Sequence, residues 1–191
     1  MTSKVMYYIA AEQVRQDMTV ELIASENFVS ENVLKAIGSC LTNKYSEGYP
    51  ALRDMGNKGR YYGGCRVVDE LGEDCIAKWK DVFHTDYHVN VQPHSGTNAN
   101  IAAYLSVLKP GDTVLAMSLD NGGHLSHGSP VNISGKVFNF VYYGVNEHGW
   151  IDVKDFDKKL RQYNPKLVVI GASAYSRKIP YDIFWRLVDC Y

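Results

Sequence analysis

Cysteine is scarce in this chain, with four in 191 residues, and Cys40, Cys65, Cys75 and Cys190 form neither a C-x-x-C pair nor a zinc-ligand spacing. A disulfide framework has no basis here, and free thiols are expected. An excess of charge is lacking too: 20 Lys and Arg stand against 21 Asp and Glu, for a formal net charge of -1. The basic residues are scattered and form no stripe, so neither nucleic acid nor an acidic membrane surface is indicated as a partner. No apolar run approaches the ~20 residues of a membrane span, and the N-terminus has no basic-then-apolar signal pattern. A cytoplasmic protein is the expectation. Proline is sparse, with 6 residues, and several of these act as breaks between periodic segments. What is present is apolar material: 46% hydrophobic and 12% aromatic residues suffice for a real core, in one domain or one domain with an arm.

Periodicity divides the chain. Lys4 to Asp17 reads as a helix whose apolar face, Val5, Ile9 and Val14, is thin, which suits an arm. Ser30 can cap a helix with Val33, Leu34, Ile37 and Leu41 on one side. Thr42 to Gly64 has no period and is rich in Gly and Tyr, the signature of a functional or mobile loop. From Arg66 a core helix is expected, with Val68, Leu71, Cys75, Ile76 and Trp79 on one side. An extended run at Tyr87 to Gln92 follows, then a helix carrying Ile101, Tyr104, Leu105 and Leu108, stopped by Pro110-Gly111. Strands are expected at Thr113 to Met117, Lys136 to Tyr143 and Leu167 to Ile170. Helices are expected at Asp152 to Tyr163 and from Pro180 onward, through Ile183, Leu187 and Val188. This alternation predicts an α/β fold with a mostly parallel sheet. Ligands then belong at the carboxyl ends of the strands, where three loops fall: Pro93 to Asn98, Ser118 to Pro130 and Gly171 to Arg177.

Of these, the first is built to hold an anion. Ser95, Gly96 and Thr97 sit where a helix begins, so their backbone N–H groups lack intrahelical partners and share the positive end of the helix dipole. Gly96 allows close approach, and the two hydroxyls add donors. Ordinary helix capping accounts for a serine there equally well. In the second loop His124 and His127 lie in a glycine-rich stretch after a strand. A metal would want a third ligand, and none has recognisable spacing. A flat imidazole beside an anion corner suits stacking on a planar, phosphate-bearing ligand, and Ser173 in the third loop could bond a ring substituent of it. A plain turn serine is the competing reading of Ser173.

The motifs Leu22-Ile-Ala-Ser-Glu-Asn27, Thr42-Asn-Lys-Tyr-Ser-Glu-Gly-Tyr-Pro50, Gly59-Arg-Tyr-Tyr-Gly-Gly64, Gln92-Pro-His-Ser-Gly96, Gly122-Gly-His-Leu-Ser-His-Gly-Ser-Pro130 and Ser173-Ala-Tyr175 occur in one order. Together they make the chain resemble serine hydroxymethyltransferase, over its N-terminal portion. The resemblance implies the large domain of a fold-type-I pyridoxal-phosphate-dependent transferase, with a mostly parallel sheet, flanking helices and an N-terminal helical arm. It implies residues 1–65 as arm and Tyr/Gly-rich active-site loop, and 66–191 as part of the cofactor-binding domain. The implied reaction interconverts serine and glycine, passing a one-carbon unit to or from tetrahydrofolate. Ser95, Gly96 and Thr97 would hold the phosphate of pyridoxal 5'-phosphate, with Thr97 where the family has serine. His124 would stack on the pyridine ring and Ser173 would approach the ring oxygen. Ser25, Glu47 and Tyr62 resemble substrate-binding positions. Tyr61, Leu119, Gly123 and Leu125 resemble folate-pocket positions. Tyr45 and Glu47 would reach a neighbouring subunit's site in a homodimer or higher homo-oligomer, Tyr45 toward the phosphate and Glu47 as proton donor or acceptor. Moving a hydroxymethyl group requires proton transfer at its oxygen, which a carboxyl performs well; a solvated loop glutamate is the other reading of Glu47.

Two departures from the family pattern bear on these expectations. The segment Ala51 to Gly59 is longer than the usual connection, which predicts displacement of Tyr61 and Tyr62 from Tyr45 and Glu47. The aspartate that pairs with the pyridine nitrogen and the lysine that anchors the cofactor fall in family segments beyond Tyr191, so the 191 residues alone are expected to be inactive. The alternatives from other classes are a non-catalytic module pairing with a full-length subunit, and another enzyme of the same fold type such as a threonine aldolase.

Overall fold

Strand β1 (Thr113–Met117) sets the layering, because its side chains alternate between two faces and both are covered. The computed structural model describes residues 3–50 and 60–190. Strands β2 (Asn139–Tyr143) and β3 (Leu167–Val168) lie on either side of β1 and parallel to it, in the order β2-β1-β3. Val114 pairs with Phe140 on one side and Leu167 on the other, which brings the carboxyl ends of all three strands to one edge. The chain divides into two compact units, Phe28–His94 and Met1–Asn27 with Ser95–Tyr191, and the sheet belongs to the second of these.

Val114 faces a cluster with Tyr104 and Leu108, from α4 (Gly96–Val107) and its C-cap, and with Phe138, just before β2. Leu115 and Met117 face the other way, into Tyr143, Ile151, Phe156, Leu160 and Phe184, where α6 (Val153–Tyr163) and α7 (Tyr181–Asp189) pack. Three aromatic rings fill this second core, with centroids 5.2 Å apart for Tyr143 and Phe156 and 4.7 Å for Phe156 and Phe184. Each such side chain, fully buried, contributes roughly 1.5–3 kcal/mol of transfer free energy. Burial also pushes the phenol of Tyr143 up to about 12, while its hydroxyl donates to the Val169 carbonyl at 3.1 Å. Helix, parallel sheet and helix form three layers, the expected α/β architecture.

Helices α1 (Lys4–Asp17) and α2 (Glu31–Ile37) are capped by Ser3 and Ser30, and neither contains a buried residue. The structure differs from the sequence reading at several places, among them β3, which covers Leu167–Val168 and stops short of Ile170. Tyr87 to Gln92, expected as an extended run, belongs to no strand among the described residues. Lys136 to Tyr143 is a strand only from Asn139, because Asn132 caps a short helix, α5 (Ile133–Val137), that takes up Lys136 and Val137. Leu105 on α4 is 54% exposed. And α3 (Arg66–Phe83) is no core helix: its sole buried residue is Asp69, while Val68, Leu71, Cys75 and Ile76 line a cavity of about 940 Å³. No helix among the described residues is long and apolar enough to cross a membrane, and all four cysteines are free.

Candidate functional site

Helix α4 begins without using its own serine. Ser95 is the N-cap, with extended backbone at φ -161° and ψ 171°, and its carbonyl accepts the Ala99 N–H at 2.9 Å, yet its side chain makes no capping bond. Elsewhere the side chains of Ser3, Ser30, Asn132 and Asp152 do cap α1, α2, α5 and α6. The Ser95 hydroxyl is therefore left facing outward with the first-turn N–H groups. A Cβ built on Gly96 would meet nothing within 4 Å, so the space before the helix end is open. Ser95 and Gly96 are exposed and Thr97 half-buried. A hydroxyl, an open glycine and the positive end of a helix dipole are together suited to an anion.

The second loop leaves β1 at Met117, passes through a short 3-10 turn at Leu119–Asn121, and folds back on itself. Gly123 donates to the Ser118 carbonyl at 2.9 Å and packs so tightly that an added Cβ would lie 2.2 Å from the Met117 carbonyl oxygen. His124 follows, half-buried, its ring 5.9 Å from that of His127. Each histidine ring has Nδ1 committed to a backbone N–H, that of Ser126 for His124 and that of His124 for His127. Neither Nδ1 is thus free for a metal. His127 is buried, and burial first, the His124 beside it second, lower its pKa.

The third loop docks onto the second. Gly122, at φ 106°, presents its carbonyl to the N–H groups of Ser173 at 2.9 Å and Ala174 at 3.0 Å. A Cβ there would strike the Tyr175 nitrogen at 2.7 Å, so both the backbone angle and the close approach require glycine. Ser173 is held beside the histidine loop in this way, with its side chain exposed. Leu119 and Leu125 are exposed on the same loop. Ser25 lies exposed in a turn of the same unit and makes no hydrogen bond to these loops among the described residues.

Tyr45, Glu47, Tyr61 and Tyr62 belong to the other unit. The rings of Tyr45 and Tyr62 meet edge to face with centroids 4.8 Å apart. The segment expected to displace Tyr61 and Tyr62, Ala51 to Gly59, lies outside the described residues. Arg60 accounts for the shape of the loop: it donates to the carbonyls of Ser46 at 3.0 Å and Gly48 at 2.7 Å, on either side of Glu47, and forms a buried ion pair with Asp69 of α3. Glu47 itself is exposed, and the enclosure that its proposed role calls for is not formed by the described residues of this chain.

Sequence reasoning missed the groups that hold the candidate residues. Asn100, Tyr104 and Ser126 tie α4 to the histidine loop, Gly122 ties that loop to Ser173, and Arg60 with Asp69 ties down the Glu47 loop. One signal was available: Asn100 and Tyr104 are spaced i, i+4, so they share a face one turn beyond the anion corner.

A parallel sheet with the start of a helix and two loops at its carboxyl edge is the architecture of the large domain of fold-type-I pyridoxal-phosphate-dependent transferases. A family model for serine hydroxymethyltransferase matches residues 1–191. Serine hydroxymethyltransferases of Xanthomonas axonopodis pv. citri (strain 306) and of Xanthomonas oryzae pv. oryzae (strain PXO99A) are each 54% identical over 181 residues, covering 95% of this chain and 42% of the relative. The chain belongs to the serine hydroxymethyltransferase family. It spans 42% of the length of these curated relatives.

Proposed function

We propose that the protein interconverts serine and glycine with transfer of a one-carbon unit to or from tetrahydrofolate, and that this chain supplies the phosphate-holding and ring-facing side of the pyridoxal-phosphate site. When bound, the cofactor supplies the electron sink for bond-breaking at the amino acid's α-carbon. In this reading Ser95, Gly96 and Thr97 hold the phosphate through backbone N–H groups and two hydroxyls. His124 lies against the pyridine ring, and Ser173 bonds the ring oxygen. Ser25 and Tyr62 orient the amino acid, and Leu119, Gly123, Leu125 and Tyr61 contact the folate. Glu47 holds or moves the proton at the hydroxymethyl oxygen, from a loop shared between subunits of a homo-oligomer, with Tyr45 reaching toward the phosphate.

The observation that carries the reading is the uncapped Ser95 hydroxyl at an open helix end. Ser30, by contrast, accepts an N–H from the first turn of its own helix. Titration of the chain with pyridoxal phosphate, followed by absorbance and by intrinsic fluorescence, tests it. Saturable binding is expected, weakened at least ~10-fold by Ser95→Ala combined with Thr97→Val, since two charge-assisted hydrogen bonds are lost. Equal affinity in the double variant would remove the helix end from the site.

A further inference from the structure

The hydrogen bonds behind His124 have a direction. Nδ1 of its ring accepts the backbone N–H of Ser126 at 3.0 Å and lies 2.6 Å from Ser126 Oγ. A backbone N–H can only donate, so Nδ1 carries no hydrogen, and the neutral ring keeps its proton on Nε2. Ser126 Oγ, facing an Nδ1 with no hydrogen, must donate to it. The same oxygen accepts from Asn100 Nδ2 at 2.6 Å, and the Ser126 carbonyl accepts from the Tyr104 hydroxyl at 3.0 Å. Ser126 is 0% exposed and Tyr104 3%, so water does not stand in for either partner.

Asn100 sets the sense of the relay. Its amide nitrogen can only donate, which fills a lone pair of Ser126 Oγ and leaves the hydroxyl hydrogen to point at the imidazole. Both Asn100 and Tyr104 come from α4, the helix whose first turn forms the phosphate corner. One rigid element thereby fixes the phosphate anchor and, one turn on, the mount of the histidine.

We propose that Asn100 and Ser126 are positioning residues that lock His124 in its Nε2–H tautomer and hold its ring for stacking on the cofactor. The proposal rests on the functional reading above only for what the ring faces; the tautomer is a property of the chain's own residues. Nε2–H is left as the ring's one donor, with no acceptor among the described residues. It is thus available to a bound ligand.

The test is long-range 1H–15N correlation on the chain labelled with 15N-histidine, at a pH above the histidine titration range. His124 is expected as the Nε2–H form in more than ~10-fold excess, because the other tautomer would set N–H against N–H in a buried place. Ser126→Thr keeps the hydroxyl and is expected to leave the pattern unchanged. Asn100→Asp has no hydrogen to give: the Ser126 hydroxyl turns to the carboxylate and sets its lone pair against that of Nδ1, so the excess of the Nε2–H form, still favoured by the Ser126 N–H, falls and the His124 nitrogen signals move toward the other form. An Nδ1–H ring in the unsubstituted chain would overturn the proposal, and so would a folded Asn100→Asp chain with both His124 nitrogen signals unmoved. The unsubstituted chain decides the tautomer by itself, so a misfolded variant does not shelter the idea. Absence of pyridoxal-phosphate binding alongside the expected tautomer would count against the cofactor reading and leave the relay standing.

Discussion

At Gly123 a single added carbon would collide with the turn that makes the histidine loop. A Cβ would lie 2.2 Å from the Met117 carbonyl oxygen and 2.8 Å from that of Ser118, and both obstacles are backbone at the end of the central strand. Gly123→Ala is therefore expected to destabilise the chain by ~1–3 kcal/mol, the usual cost of overpacking, measured as a lower urea midpoint. An unchanged midpoint would show that the turn gives way more cheaply than its geometry implies. Three residues on, His127 should make stability depend on pH. Its folded pKa is below the ordinary histidine value of 6.5, chiefly through burial, so the unfolded chain takes up the proton first. Its contribution is complete above that value and is lost as pH falls toward the folded pKa. The thermal midpoint should drop on acidification through that window, and His127→Gln should flatten this part of the profile; an identical slope in the variant would clear His127 of the effect. At this scale the residues that face a ligand were legible in the sequence, because Ser95, Thr97, His124 and Ser173 carry recognisable chemistry in loops. Those that support them were not. Asn100 and Ser126 look like any polar residue until the fold brings α4 against the loop, 26 residues away in sequence.

Elements were legible where burial follows period. Strand β1, buried on both faces, and helices α6 and α7 lie where the apolar spacing puts them, since each packs on a core within its own unit. Tyr87 to Gln92 and α3 were misread because period reports which side of a segment is apolar, and not what lies against that side. The apolar side of α3 does exist, and it lines a cavity. Caps give this scale its prediction. The Asp152 carboxylate accepts the N–H groups of Lys154 and Asp155, each at 3.0 Å, at the start of a helix that carries Phe156 and Leu160 into the core. Asp152→Ala should cost ~0.5–2 kcal/mol of stability. Ser95→Ala removes a side chain that caps nothing, and should stay within about 0.5 kcal/mol of the unsubstituted chain while weakening phosphate binding. Denaturant midpoints for the two variants make the comparison. A loss for Ser95→Ala as large as that for Asp152→Ala would make Ser95 a structural cap after all.

For the molecule as a whole, family membership was legible because the motifs lie in loops at the strand ends and in the Tyr/Gly-rich segment, where residue type reports chemistry more than packing. The state of association was less so, and exposure now gives it a physical argument. Helix α1 is regular and well capped, yet Val5 is 62% exposed and Ile9 56%, one turn apart on one side of it. Val33, Leu34 and Ile37 of α2 are likewise open to water. Short helices are marginal in water on propensity alone and depend on burying an apolar face. Burial returns roughly 25 cal/mol for each Å² of apolar surface removed from water, so another protein surface is the natural cover for these faces. Self-association of the chain is the expected outcome, with light scattering giving a mass above that of one chain and rising with concentration. Replacing Val5 and Ile9 together by Glu places two charges on one side of α1 without touching a buried residue, and should shift the distribution toward single chains with little change in the thermal midpoint. A single-chain mass for the unsubstituted protein across the whole concentration range would sink the argument. An unchanged distribution in the double variant would move the interface away from α1 and leave α2 as the face to substitute next.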